Sequence, residues 1–197
     1  MRENEARVLK INIEVLLKKI YSMDLDFISA NFQERYVYDF TPPQKGKWIR
    51  LRSNGIKTTL TIKEIIDNTI SGTNELEVEV SDFKETNFIL NEMGYFPRSY
   101  QENFRIEFKN KLGKFDIDFW PQIDPCFEIE SFDEKTVEML FAQFGYSKND
   151  IITQNIDAIY RNIYGIDLNK IKKLEFDSSY KGYLKKIQRG IVDGFTK

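Results

Sequence analysis

The sequence predicts an α+β protein: an antiparallel sheet of about eight strands, with amphipathic helices packed on its apolar face. Three observations predict it. First, dense charge alternates with Leu, Ile, Val and Phe in seven short stretches. Successive side chains of a strand point to opposite faces, so each stretch has one charged and one apolar face. Second, three times a stretch with glutamates at alternate positions runs directly into an amphipathic helical segment. Third, Glu75, Glu77 and Glu79 share one strand face, where they would repel unless cations lay across from them. A sheet closed into a barrel, charged face inward and apolar face outward under helices, supplies those cations. A sandwich with a charged outer surface and salt-bridge ladders is the alternative that alternation leaves open.

Each element follows from its residues. Glu3, Glu5 and Arg7 alternate with Asn4, Ala6 and Val8, a strand pattern. Asn12 caps a helix whose Ile13, Leu16, Leu17 and Ile20 form one stripe. Gln33 to Phe40, rich in Tyr, Val and Phe, reads as a strand stopped by Pro42-Pro43. Trp48 to Arg52 is the next strand, with Arg50 and Arg52 on one face and Ile49 and Leu51 on the other. Asn54-Gly55 turns the chain into a return strand, Lys57 to Lys63. After a polar loop over 67–74 comes the strand Glu75 to Val80. Ile49, Leu60 and Val78 are expected under helices. Asp82-x-x-Glu85 opens a helix with Phe83, Thr86, Ile89, Leu90 and Met93 inward, closed by Gly94.

Three more strands follow: Gln101 to Phe108, Phe115 to Trp120 and Phe127 to Glu130. Their charged faces carry Arg105 and Glu107, Asp116 and Asp118, and Glu128 and Glu130. Ser131-x-x-Glu134 reads as a second capping box, ahead of the stripe Val137, Leu140, Phe141 and Phe144 and the closing Gly145. Ile156, Ile159, Tyr160 and Ile163 mark a further helix ending near Gly165. Three placements are open to the Lys-rich tail 166–197: a helix packed on the barrel, a contact in a homodimer, or partial disorder.

Composition narrows the chemistry. At 197 residues the chain fits one domain with an appendage, and 16 Phe with 10 Tyr can fill a sizeable core. A formal charge of −2 does not suggest a nucleic-acid partner. No apolar run is long enough to span a membrane, and none forms a signal core at the N-terminus. Cys126 is the only cysteine, so no intrachain disulfide forms, which fits a reducing, cytoplasmic setting. With no histidine, imidazole catalysis and His metal sites are excluded. Any metal would be held mainly by oxygen, which favours Mg²⁺, Mn²⁺ or Ca²⁺.

Taken in order, the charged positions resemble a known family. Glu3-x-Glu5-x-Arg7 resembles the Glu-x-Glu-x-Lys signature of CYTH domains, the triphosphate tunnel metalloenzymes, which include class IV adenylyl cyclases and thiamine triphosphatases. The match continues through Trp48-Ile-Arg50-Leu-Arg52, Thr61-Ile-Lys63-Glu64, Glu75-x-Glu77-x-Glu79, Arg105, Asp116-x-Asp118 and Glu128-x-Glu130. It covers residues 1–145, leaving 146–197 as a C-terminal helical extension. The resemblance implies an eight-stranded antiparallel β-barrel tunnel with a charged lumen. It implies that Glu3, Glu5, Glu128 and Glu130 coordinate Mg²⁺ or Mn²⁺, with Asp116 beside them. It implies that Arg7, Arg50, Arg52, Lys63 and Arg105 bind a triphosphate, and that Glu77 ligates metal or orients a basic side chain. Glu3, Glu5, Arg7, Arg52 and Lys63 are the catalytic set so implied. A structural ion pair within the barrel is the other reading of each. Arg7 replaces the usual Lys, and a guanidinium is a poor proton donor. The implied substrates are tripolyphosphate, thiamine triphosphate or ATP. Hydrolysis of the terminal phosphate is the leading expectation and cyclisation of ATP to cyclic AMP the second.

Overall fold

Alternation closes the sheet. The computed structural model describes residues 2–195. Its strands are β1 (Arg2–Leu9), β2 (Asp26–Asp39), β3 (Lys47–Ser53), β4 (Thr58–Ile65), β5 (Thr73–Val80), β6 (Pro97–Lys109), β7 (Gly113–Phe119) and β8 (Cys126–Ser131). They are ordered β2-β3-β4-β5-β1-β8-β7-β6, and β6 pairs back onto β2, so eight antiparallel strands form a closed barrel. Where β7 stops opposite Phe104, the two-residue β9 (Lys173–Leu174) takes over the edge of β6 in parallel. Outside lie α1 (Ile13–Tyr21), α2 (Phe83–Glu92), α3 (Glu134–Gln143), α4 (Ile156–Tyr164) and α5 (Ser178–Phe195). No helix among the described residues is long and apolar enough to cross a membrane.

The apolar core is the outside of the barrel. Phe104, Ile106 and Phe108 of β6, Phe115, Ile117 and Phe119 of β7, and Phe127 and Ile129 of β8 are fully buried. They are covered by Leu16 and Ile20 of α1, Val137, Leu140 and Phe141 of α3, and Leu184 and Ile191 of α5. Each such side chain contributes about 1.5–3 kcal/mol by leaving water. A smaller cluster joins Leu90 of α2 to Tyr38, Ile49 and Leu51. A third packs Ile159 and Tyr160 of α4 on Trp120, Ile123 and Cys126.

The one thin seam is between β1 and β5, which share only Arg2↔Asn74 and Glu3↔Thr73. Beyond it the backbone groups of β1 need other partners, since an unpaired buried amide is costly. Glu5 N donates to Ile70 O at 3.1 Å, and Arg7 N and O bond to Ile152 at 2.9 and 2.8 Å. Chain beyond residue 145 therefore completes the wall of the barrel.

Caps follow the sequence with one correction. Asn12, Asp82 and Asn155 each accept from a backbone N–H three residues on, at 2.8–3.1 Å. Gly94 and Gly145 take positive φ, 89° and 86°, just past α2 and α3. For α3 the cap is Asp133, not Ser131: Asp133 Oδ1 accepts from Thr136 N at 2.8 Å. Ser131 is still in the sheet, paired with Asn4 and Gly113, so it is not free to cap.

Three other expectations are corrected. β2 begins at Asp26 rather than Gln33, because Asp26 to Phe32 pairs with β6, and a register shift between Phe27 and Ser29 hides the alternation. On α2 the barrel-facing side is Phe83, Asn87 and Leu90: Tyr38 Oη donates to Asn87 Oδ1 at 2.8 Å. Ile89 and Met93 point to solvent. Ile49 is buried and Leu60 half-buried as expected, but Val78 is 53% exposed and Leu76 66%, since α2 lies over β3 and leaves these two uncovered.

The outside core makes a contrast to measure. Phe127 packs on Phe115, Phe141, Phe144 and Tyr146. Phe127→Ala should lower unfolding free energy in urea by about 3–5 kcal/mol. Val78→Ala should change it by no more than about 0.5 kcal/mol.

Candidate active site

The inward side chains enclose a cavity of about 360 Å³, within the size range of small-molecule sites. All the residues to which the family resemblance gives a role line it: Glu3, Glu5, Arg7, Arg50, Arg52, Lys63, Glu77, Arg105, Asp116, Glu128 and Glu130; Glu64 and Glu79 of the matching stretches do not. Register explains why. Arg52 stands opposite Thr59, Arg50 opposite Thr61, and Lys63 opposite Glu75, so one parity of each strand faces in. On the far side, Glu5 is opposite Glu130 and Arg7 opposite Glu128.

Charge is arranged by wall. On β3, β4 and β5, Arg50 Nη2 donates to Glu75 Oε1 at 3.1 Å, to Glu77 Oε2 at 3.3 Å and to Thr61 Oγ1 at 3.3 Å. Lys63 Nζ lies 2.9 Å from Glu3 and 2.5 Å from Glu75. Arg52 is held more loosely, 3.6 Å from Glu77. Beside Arg50, with burial and Arg105 adding to the effect, its guanidinium is pushed down to about 10. On β1, β8, β7 and β6, Arg7 bridges Glu5 at 3.1 Å and Glu128. Arg105 Nε donates to Asp118 Oδ1 at 2.8 Å, and its Nη groups reach Asp116 and Glu128. Lys114 pairs with Glu130 at 3.0 Å at a more exposed part of the lumen.

These pairs split the carboxylates into two states. Burial pushes Glu3 up to about 8; Lys63 opposes the rise, and neighbouring Glu75 and Glu5 reinforce it. Glu75 goes the other way: burial would raise it, but Arg50 and Lys63 outweigh burial and hold it well below the usual range. Glu128 is likewise held down against burial by Arg7 and Arg105. Among the described residues, no group of three or more Asp, Glu or Cys side chains is gathered so as to hold a metal ion. Most of the lining acids are drawn instead onto a cation. The donor set still suits a hard divalent ion, being all carboxylate oxygen. Asp116 Oδ1 is buried without a hydrogen-bond partner, so it has a lone pair to offer.

Several lining residues were given no role from the sequence. Glu75 and Asp118 stood in alternating stretches and needed only register to bring them to Lys63 and Arg105. Arg35 was legible as the one cation sharing a strand face with Gln33 and Val37. Asn155, Ile156 and Asp157 also line the cavity. Nothing in their local sequence signals it, because tertiary contacts bring them there: the bridge from Arg7 to Ile152 and the pairing of Arg98 with Asp157 at 3.3 Å.

No family model and no curated protein matches the sequence. Solved structures do. A Pyrococcus horikoshii protein is 21% identical with a TM-score of 0.68, over 78% of this chain and 96% of that one. A candidate adenylate cyclase of Vibrio parahaemolyticus is 17% identical with a TM-score of 0.69, over 84% and 99%. A candidate adenylyl cyclase of Hippeastrum with a dominant triphosphatase activity is 14% identical with a TM-score of 0.57, over 81% and 95%. At these identities the likeness is one of fold. With the closed eight-stranded barrel, its charged lumen and its outer helices, the chain has the triphosphate tunnel fold.

Proposed function

We propose that the protein is a triphosphate-processing enzyme that hydrolyses the terminal phosphate of an inorganic or organic triphosphate. The observation that carries this reading is the lumen itself: guanidinium and ammonium groups interleave with carboxylates around one small cavity. Binding an anion needs only the cations. The carboxylates Glu3, Glu5, Glu128 and Glu130, with Asp116, are what a divalent cation would need, and they are the residues that would hold Mg²⁺ or Mn²⁺. Such an ion would supply charge neutralisation at the phosphoryl oxygens. The Hippeastrum protein of the same fold, with its dominant triphosphatase activity, supports placing hydrolysis first.

The side chains have distinct tasks in this reading. Arg50 and Arg52 sit at i and i+2 on one face of β3, their origins about 6.5–7 Å apart. Each guanidinium can grip phosphoryl oxygens through two parallel hydrogen bonds. Lys63 adds a point charge from the adjacent strand. Incoming phosphate oxygens would take Arg50 from Glu75 and Glu77, and Lys63 from Glu3 and Glu75, which would leave Glu3 free to act with the other residues that would hold the metal. Phosphoryl transfer through a loose transition state asks mainly for positioning and charge, which a lumen without histidine can supply. Arg7 would hold Glu5 and Glu128 in place and bind phosphate, and does not act as a proton donor. The barrel of residues 1–145 would carry the chemistry, with the extension completing its wall.

A panel of tripolyphosphate, thiamine triphosphate and ATP with Mg²⁺ or Mn²⁺ tests the reading. Orthophosphate should be released from at least one substrate, and excess EDTA should stop it. Cyclic AMP and pyrophosphate from ATP, without orthophosphate, would instead make the protein a cyclase.

Replacing both Glu3 and Glu5 by Gln should abolish turnover while circular dichroism stays unchanged. Lys63 keeps Glu75 and Arg7 keeps Glu128 in that variant. On the best panel substrate, Arg52→Ala should cost about 3 kcal/mol in transition-state binding, roughly a hundredfold in kcat/KM. A folded Arg52→Ala variant with unchanged kcat/KM would place this residue outside the site.

A further inference from the structure

Among the described residues, one cation of the lumen has no ion pair. Arg35 lies on β2, in register between Arg52 of β3 and Gln101 of β6, and is 6% exposed. Arg7, Arg50, Arg52 and Arg105 each lie within salt-bridge distance of at least one carboxylate. Arg35 forms no ion pair among the described residues. Its Nη2 donates to two neutral amide oxygens, Gln33 Oε1 at 3.3 Å and Asn103 Oδ1, and its Nε is buried with no partner. The Trp120 ring covers the guanidinium, its centroid 4.5 Å from Cζ.

The acids whose charge reaches it, Asp118 and Asp157, are already engaged, Asp157 by Arg98 at 3.3 Å. Asp118 accepts from Arg105 at 2.8 Å and from Asn103 Nδ2 at 3.1 Å. Asn103 thus turns its amide nitrogen to the acid and its oxygen to Arg35. Burial, together with the like charges of Arg50 and Arg52, pushes Arg35 well below the usual guanidinium range. Removing a cation from water without a counter-ion costs several kcal/mol. A buried, pre-oriented fork with an unsatisfied N–H and two like charges beside it is what an anion of high charge would relieve.

We propose that Arg35 is a ligand for a phosphoryl group of the substrate, extending the cationic surface of Arg50 and Arg52 across to β2 and stacked for that purpose on Trp120. The proposal rests on the triphosphate reading above and adds to it a residue on a strand where none was assigned. Trp120 holds the guanidinium plane and Gln33 and Asn103 set its rotation through Nη2, leaving Nη1 for the phosphate oxygens. A purely structural Arg35 would stabilise the barrel through those same amides and the ring. A ligand-binding Arg35 would be a burden on the empty barrel.

Titration calorimetry with tripolyphosphate in EDTA separates the two roles, because it reads the cations without metal or turnover. Arg35→Met, of similar length and uncharged, should bind on the order of tenfold to a hundredfold more weakly than the parent protein. Its thermal midpoint should be unchanged or higher. Arg35→Lys, which keeps charge but not the fork, should fall between. If the parent protein binds tripolyphosphate and both variants bind it equally well, the proposal is overturned while the proposed function stands. If the parent itself binds no tripolyphosphate, with or without Mg²⁺, the proposed function is overturned. A lowered midpoint in Arg35→Met assigns the residue to structure and overturns the proposal. Should that variant not fold, Arg35→Lys decides: unchanged affinity overturns the proposal, and a loss of about threefold or more supports it.

Discussion

Charge removed from water has to be matched, and this barrel puts most of its charge on one concave face. The strands alternate so regularly that closure leaves no choice about which side chains face in. Once inside, each carboxylate and each cation must answer another. The pairs Lys63–Glu75, Arg7–Glu128 and Arg105–Asp118 meet that demand between adjacent strands, and Arg50–Glu75 meets it across β4. A one-residue slip of any strand would take its charges out of the lumen and set its Leu, Ile or Phe there instead. The ion pairs therefore specify register as much as they stabilise it.

The same matching describes how the lumen could change hands. An ion pair that balances an empty cavity is also a pair of groups waiting for better partners. Phosphate oxygens compete for guanidinium groups on the same bidentate terms as carboxylates do. Glu3 and Glu75 share the ammonium of Lys63 unequally: one carboxyl is raised and the other lowered. Where the matching is incomplete, at Arg35 and more mildly at Arg52, the imbalance is positive and lies on β2 and β3. The acids concentrate across from it, on β1, β7 and β8.

Closure also depends on chain far from the barrel strands in sequence. The seam between β1 and β5 is only two residue pairs long, and Ile70 and Ile152 take up the backbone groups left over. Arg7 adds a side-chain bond to Gln154 O, so the residue that organises one acidic wall also holds the extension against it. α4 and α5 are thus bound into the fold by backbone pairing and by apolar burial, through Tyr160 on Trp120 and through Leu184 and Ile191 in the main core.

Much of this was legible in the sequence because period-two alternation is a local signal. It determined the strands, which residues share a face, and through Glu3-x-Glu5-x-Arg7 and Trp48-x-Arg50-x-Arg52 the residues that would meet in a lumen. Helix stripes such as Val137, Leu140, Phe141 and Phe144 were equally plain. What local pattern could not carry was decided by tertiary pairing. The bulged start of β2, the cap at Asp133 and the polar Asn87 on the inner side of α2 all depend on what lies opposite them. So does the exposure of Leu76 and Val78, which depends on where a helix happens to lie. So, above all, does the difference between a paired and an unpaired cation. Arg50 and Arg35 look alike in sequence, each an arginine in an alternating strand. Only the closed sheet places carboxylates beside one and an indole ring and two amides beside the other, because a counter-charge is supplied by neighbours in space, not along the chain.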